Sequence, residues 1–189
     1  MKKFLKDLKK LNYGEGTNKI FTGLSVILLI ISVALLGSGG LDQEKSFNTT
    51  NLHVVDGDTV KASVNNSNIT VRLLGVDTPE TYAENSPNEF GLEDTAENRR
   101  CLRNWGVKAT DYLENFTLRE VNIHTDRISE NRGDYGRLLA YLEIDGRSVN
   151  EALLRKGYAR VYESRFSRLE SYRDLASEAR DRNIGVWSC

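Results

Sequence analysis

Between Leu52 and Leu74 the chain is cut into three short β-branched runs, and each cut falls at turn chemistry. Residues 52–55, 59–64 and 69–74 are separated by Asp-Gly and by Asn65, Asn66, Ser67 and Asn68, which reads as a three-stranded meander. Two more alternating runs, 121–125 and 138–144, bring the expected strands to five. Leu102, Trp105, Ala109, Tyr112, Leu113 and Phe116 recur at three- and four-residue steps and predict an amphipathic helix. Residues 149–156 predict a short second helix stopped by Gly157. Leu169, Tyr172, Leu175, Ala176 and Ala179 mark a third. Residues 78–103 are polar, hold both prolines and show no period, so they are expected to form a long loop. The fold class is therefore α+β, and a five-stranded barrel of OB type with three helices suits these elements.

A different solvent is implied upstream. Residues 20–36 form an uncharged apolar run that would span roughly 26 Å as a helix, near the short end of what a bilayer core requires. Six lysines precede it, which by the positive-inside rule keeps residues 1–19 in the cytoplasm and places the chain beyond residue 36 outside. Two readings stay open: an uncleaved transmembrane anchor, or a signal sequence cut near Gly37–Gly40 that would release a secreted domain. Residues 37–51 are rich in Gly, Ser, Asn and Asp and are expected to be a flexible tether. A folded domain is expected over 52–189.

The net charge of −1 conceals an asymmetry, because the basic start leaves 20 basic and 25 acidic residues for the remainder. A protein that coats nucleic acid carries a positive surplus, since phosphate neutralisation supplies its affinity. That function class is disfavoured here. An enzyme that meets one phosphate with a few arginines and a cation is not.

Three segments carry candidate chemistry. Asp56-Gly57-Asp58-Thr59 lies at the first turn, and Arg72-Leu73-Leu74-Gly75-Val76-Asp77-Thr78-Pro79-Glu80 runs from a strand into the loop. Asp134-Tyr135-Gly136-Arg137 precedes the fifth strand. Asp56 and Asp58, two apart, would share one face of a strand, and Asp77 supplies a third carboxylate. Oxygen ligands of this kind suit a hard cation such as Ca²⁺, whereas no cysteine–histidine cluster offers a zinc site. Each segment alone has a plainer reading. Asp-Gly-Asp is ordinary turn chemistry, Thr-Pro-Glu resembles a helix start, and Arg72 suits a salt-bridged strand.

Their order and combination resemble the staphylococcal nuclease (thermonuclease) family. The likeness runs on through Val149-Asn150-Glu151-Ala152-Leu153-Leu154, Gly157-Tyr158-Ala159-Arg160-Val161 and Gly185-Val186-Trp187-Ser188, covering about residues 52–189. It implies an OB-fold barrel with three helices and a Ca²⁺-dependent nuclease that leaves 3′-phosphates on DNA or RNA. By match to the family pattern, Asp58 and Asp77 would be direct metal ligands, joined by the Thr78 carbonyl and a nearby or water-mediated Asp56. Glu80 would be the general base or orient the attacking water. Arg72 and Arg137 would grip the scissile phosphate, and Tyr135 would contact a phosphate of the bound nucleotide. A non-catalytic nucleic-acid-binding OB module tethered to the membrane is the competing expectation.

The chain also departs from that pattern. Residues 81–104 are an insertion beside Glu80 bearing Glu84, Glu89, Glu93 and Asp94, and Glu163 stands where a base-stacking tyrosine is expected, with Tyr162 beside it. Cys101 and Cys189 are the only cysteines; in an exported domain they can pair, joining the entrance of the first helix to the C-terminal end, or remain two buried thiols. Nothing in the sequence bears on oligomeric state, and a monomer is the default expectation.

Overall fold

The computed structural model describes residues 44–189; the apolar run 20–36, its basic flank and residues 37–43 of the expected tether lie outside them. No helix among the described residues is long and apolar enough to cross a membrane. The described residues form nine strands: β1 (Ser46–Thr49), β2 (Leu52–Val54), β3 (Thr59–Val64), β4 (Ser67–Leu73), β5 (Val76–Asp77), β6 (Val121–His124), β7 (Leu138–Ile144), β8 (Arg147–Ser148) and β9 (Arg160–Val161). Three α-helices accompany them: α1 (Ala96–Glu114), α2 (Val149–Arg155) and α3 (Leu169–Asp181). The main sheet runs β1-β6-β7-β4-β3-β2, with β8 on β7, while β5 and β9 pair apart from it. Its pairs are antiparallel except β4 with β7, so the sheet is mixed.

The five strands expected from periodicity are β2, β3, β4, β6 and β7. The other four carry no readable pattern. β5, β8 and β9 are two residues each, too short to alternate. β1, reading Ser-Phe-Asn-Thr, falls in the segment expected to be tether, and the structure corrects that expectation: it pairs along β6 from Ser46↔His124 to Thr49↔Val121. The Thr49 hydroxyl then donates to the Ser63 carbonyl at 2.8 Å, so the outer strand curls back toward β3.

The expected loop over 78–103 is also shorter than its composition suggests. α1 begins at Ala96, capped by Thr95, whose side-chain oxygen accepts from the Asn98 N–H at 3.1 Å. Its first turn is polar and largely exposed, so the apolar rhythm becomes visible only from Leu102. Residues 87–90 form a 3₁₀ turn that buries Pro87 and Phe90.

The main core joins Val60, Val71 and Leu73 of the meander to Ile123, Leu142, Leu113 of α1, Leu153 and Leu154 of α2 and Tyr172 of α3, all almost free of solvent contact. Burial of each such side chain is worth about 1.5–3 kcal/mol. One polar group stitches this core: buried Asn150 accepts from the Leu142 N–H and donates to the Leu74 carbonyl, both at 3.0 Å. A second, smaller core gathers Phe90, Leu102, Ala179, Val186 and Trp187, and the Cys101–Cys189 disulfide, with Cα atoms 5.8 Å apart, closes over it. The insertion after Glu80 is thereby packed against the C-terminal end of the domain.

Candidate active site

The turn before β3 gathers the first carboxylates. Asp56 and Asp58 lie in that turn rather than along a strand, which corrects the expectation of a shared strand face. Asp56 Oδ1 accepts from the Asp58 N–H at 3.1 Å, an Asx turn that holds the loop closed. Gly57 between them is packed so closely that a Cβ would sit 2.6 Å from Thr78 Oγ1 and 2.7 Å from Ala109 Cβ. This contact draws the turn, the Thr78 segment and α1 together. Asp58 is buried, and its Oδ2 accepts from both the N–H (2.8 Å) and the hydroxyl (3.1 Å) of Thr78.

Arg72, at the end of β4, bridges the carboxylates. One guanidinium nitrogen pairs with Asp58 Oδ1 and the other reaches Asp77 Oδ1 at 2.6 Å. Asp77, on β5, is held from its far side by Arg160 of β9, whose Nη2 lies 2.7 Å from Asp77 Oδ2 and 2.7 Å from Glu89 of the insertion. The β5–β9 register sets Asp77 opposite Arg160. Parallel pairing of β4 and β7 puts Arg72 opposite Leu139, and Arg137, two residues before Leu139, falls on the same side. Arg72 and Arg137 line one cleft of ≈ 280 Å³ together with Tyr162 and Ser164.

Glu80 leads out of this group into the insertion and is exposed. Its backbone is clamped by buried Asn85, which accepts from the Glu80 N–H and donates to the Glu80 carbonyl, both at 2.8 Å. Partial burial raises the Glu80 carboxyl above its ordinary range, Asp56, Asp77 and Glu89 push the same way, and Arg72 opposes them. Asp56 is raised too, chiefly by burial, against bonds from Thr59 and the charges of Arg72 and Arg137. The six groups Asp56, Asp58, Arg72, Asp77, Glu80 and Arg137 thus share one electrostatic neighbourhood.

Tyr135 stands apart from it. It is 97% exposed and adopts a left-handed backbone, φ 59°, that few tyrosines accept. Its ring centroid lies 5.8 Å from the Arg137 guanidinium. Tyr135 therefore borders Arg137 without lining the cleft. Glu163 does not face the cleft either: its carboxylate is paired with Arg173 of α3, and the flanking Tyr162 and Ser164 line the cleft instead.

The donor chemistry fits a hard cation. Asp58 and Asp77 aim one oxygen each at a single positive charge, here the Arg72 guanidinium, in a site without soft ligands. Among the described residues no group of three or more His, Cys, Asp or Glu is close enough to hold a metal. The remaining donors would have to be neutral oxygens such as the Thr78 carbonyl and water.

The family model described as "Staphylococcal nuclease homologue" matches residues 70–189. The chain belongs to this family. Among its relatives, an uncharacterized protein of Methanocaldococcus jannaschii is 38% identical over 142 residues, 71% of this chain and 69% of its own length. Endonuclease YncB of Bacillus subtilis is 36% identical over 150 residues, 78% of this chain, which spans 64% of that relative. The thermonuclease of Staphylococcus hyicus is 26% identical over 182 residues, covering 90% of this chain and 98% of that one. As a member of the staphylococcal nuclease family the chain keeps the expected α+β class and three helices; in place of the five expected strands it has a seven-stranded mixed sheet and a separate two-stranded pair. Arg160 and Asn85, which anchor Asp77 and Glu80, carry no signal of that role in the sequence. Arg160 meets Asp77 only through the pairing of β5 with β9, and Asn85, five residues past Glu80, clamps it only because the insertion turns back on itself.

Proposed function

We propose that this protein is a Ca²⁺-dependent phosphodiesterase that hydrolyses DNA or RNA strands outside the cell to 3′-phosphate products. The observation that carries the reading is that Arg72 pairs with both Asp58 and Asp77, acts on the Glu80 carboxyl and lines one cleft with Arg137, in a chain of the staphylococcal nuclease family. Relatives named endonuclease and thermonuclease add weight.

In this reading Asp58, Asp77 and the Thr78 carbonyl hold Ca²⁺, with Asp56 nearby. The ion supplies Lewis-acid charge that offsets negative charge building on the phosphoryl oxygens. Arg72 and Arg137 contribute planar guanidinium groups to the phosphate, a geometry lysine cannot reproduce, Arg72 doing so from the ion pairs that hold it to Asp58 and Asp77. Glu80 takes a proton from the attacking water. Tyr135 reaches a neighbouring phosphate from the rim. The apolar run 20–36 supports an anchor or signal that exports the domain, and the disulfide suits an oxidising compartment.

The test is hydrolysis of single-stranded DNA with Ca²⁺, with excess chelator, and by Glu80→Gln. The expected result is Ca²⁺-dependent cleavage that falls by about 10²–10⁴ in the variant, with folding retained. A folded wild type that binds DNA yet never cuts it would replace the enzyme with a binding module.

A further inference from the structure

The insertion beside Glu80 builds a second concavity of ≈ 600 Å³, lined by Tyr82, Glu84, Ala96, Arg99, Arg100 and Arg103, which shares no residue with the cleft at Arg72 and Arg137. Its walls are fixed relative to Glu80. Asn85 clamps the Glu80 backbone on one side of Tyr82, and α1 rests on the Pro79 carbonyl through Gly106, three residues beyond Arg103.

The charges in this concavity do not cancel. Glu84 and Asp94 both pair with Arg99, and Glu89 pairs with Arg160. Glu93 and Glu97 are not among the lining residues. Arg100 and Arg103 are exposed, stand at i and i+3 on one face of α1, and have no carboxylate partner among the described residues. Arg103 donates only to the Ala83 carbonyl, at 3.3 Å. Facing the same space, Tyr82 is 89% exposed. A solvent-facing aromatic ring beside two uncommitted guanidinium groups offers a face for a base and donors for phosphates.

We infer that this concavity is an extended subsite for single-stranded nucleic acid. The strand leaving the Glu80 site stacks one base on Tyr82 and lays its phosphates along Arg100 and Arg103. The inference rests on the nuclease reading and deepens it: bases in a duplex are already stacked, so the subsite selects long, unpaired strands.

The test uses the full chain carrying Glu80→Gln, so that binding is measured without turnover. Fluorescence anisotropy compares a single-stranded dodecamer with a dinucleotide, with Tyr82→Ala, Tyr82→Phe and Arg100→Ala/Arg103→Ala added in turn. Exposed Leu118→Ala serves as the control. Tyr82→Ala is expected to weaken dodecamer binding by roughly five- to a hundredfold, with rescue by Tyr82→Phe. The double arginine variant is expected to lower the salt slope of log affinity by about 1.4. In both, the preference for the longer strand collapses. Dodecamer affinity and salt slope equal to the Leu118→Ala control would overturn the subsite, even if the chain with Glu80 intact cuts DNA normally. The expected binding changes in a chain that never cuts would support the subsite and overturn the nuclease reading alone.

Discussion

Gly106→Ala is a sharp test of how α1 positions Glu80, the proposed base. A Cβ at Gly106 would fall 2.3 Å from the Pro79 carbonyl oxygen and 3.3 Å from that of Glu80, where ordinary contact begins at 3.4 Å. The obstacle is backbone, not the end of a flexible side chain. α1 and the Pro79–Glu80 segment must therefore part by about 1 Å, which overpacking statistics put at roughly 1–3 kcal/mol. Alanine is favoured over glycine inside a helix by about 1 kcal/mol, so the two effects oppose. The net expectation is a stability loss of up to about 2 kcal/mol. The effect on turnover is larger, because a displacement of about 1 Å at a catalytic group costs on the order of a hundredfold. The assay is kcat on saturating single-stranded DNA beside a urea unfolding curve. An unchanged kcat with stability raised by about 1 kcal/mol would refute the reasoning, since helix propensity alone would then be acting.

Three further outcomes are expected. Replacing both Cys101 and Cys189 by serine releases a loop with a sequence separation of 88 and should lower stability by about 3–5 kcal/mol; an unmoved urea midpoint would contradict this. Asp126 is buried, which alone would raise its carboxyl, but bonds from Ser167, the Ile128 N–H and Tyr141 outweigh that and hold it at about 2. Its contribution should be full above the unfolded value of about 4 and vanish as pH falls through about 2, so urea midpoints of wild type and Asp126→Asn should converge only in acid. Asn150→Ala strands the Leu142 N–H and the Leu74 carbonyl and should cost about 2–4 kcal/mol by the same unfolding measurement, with a loss below about 1 kcal/mol counting against its stitching role.

The site was legible where chemistry sits in contiguous words. Asp58 lies in the first turn of the meander, and Arg72, Asp77 and Glu80 follow one another where its third strand runs out, so turn residues and β-branched runs announce both places. What stayed hidden depends on partners distant along the chain. Arg160 meets Asp77 only because two-residue strands pair, and Glu163 is claimed by Arg173 of α3, which lies beyond a non-helical stretch. The network that joins Asp126 to Tyr141 and Ser167 spans 41 residues. β1 was unreadable because its outward residues are polar and only its pairing with β6 makes it a strand. The acids of the insertion make it anionic in sequence, yet Glu84, Glu89 and Asp94 are committed to arginines in the fold.

The parallel seam between β4 and β7 has a kinetic consequence. It brings Arg72 beside Leu139 and so toward Arg137, across a chain segment that includes the whole insertion, α1 and β6. Contacts closed over such a span are slow to form, because loop entropy opposes them until the intervening elements have collapsed. A partly folded chain would own both arginines and lack the cleft between them. The first appearance of hydrolysis during refolding should therefore time the closure of this seam, and an unfinished molecule would be harmless to the nucleic acid around it.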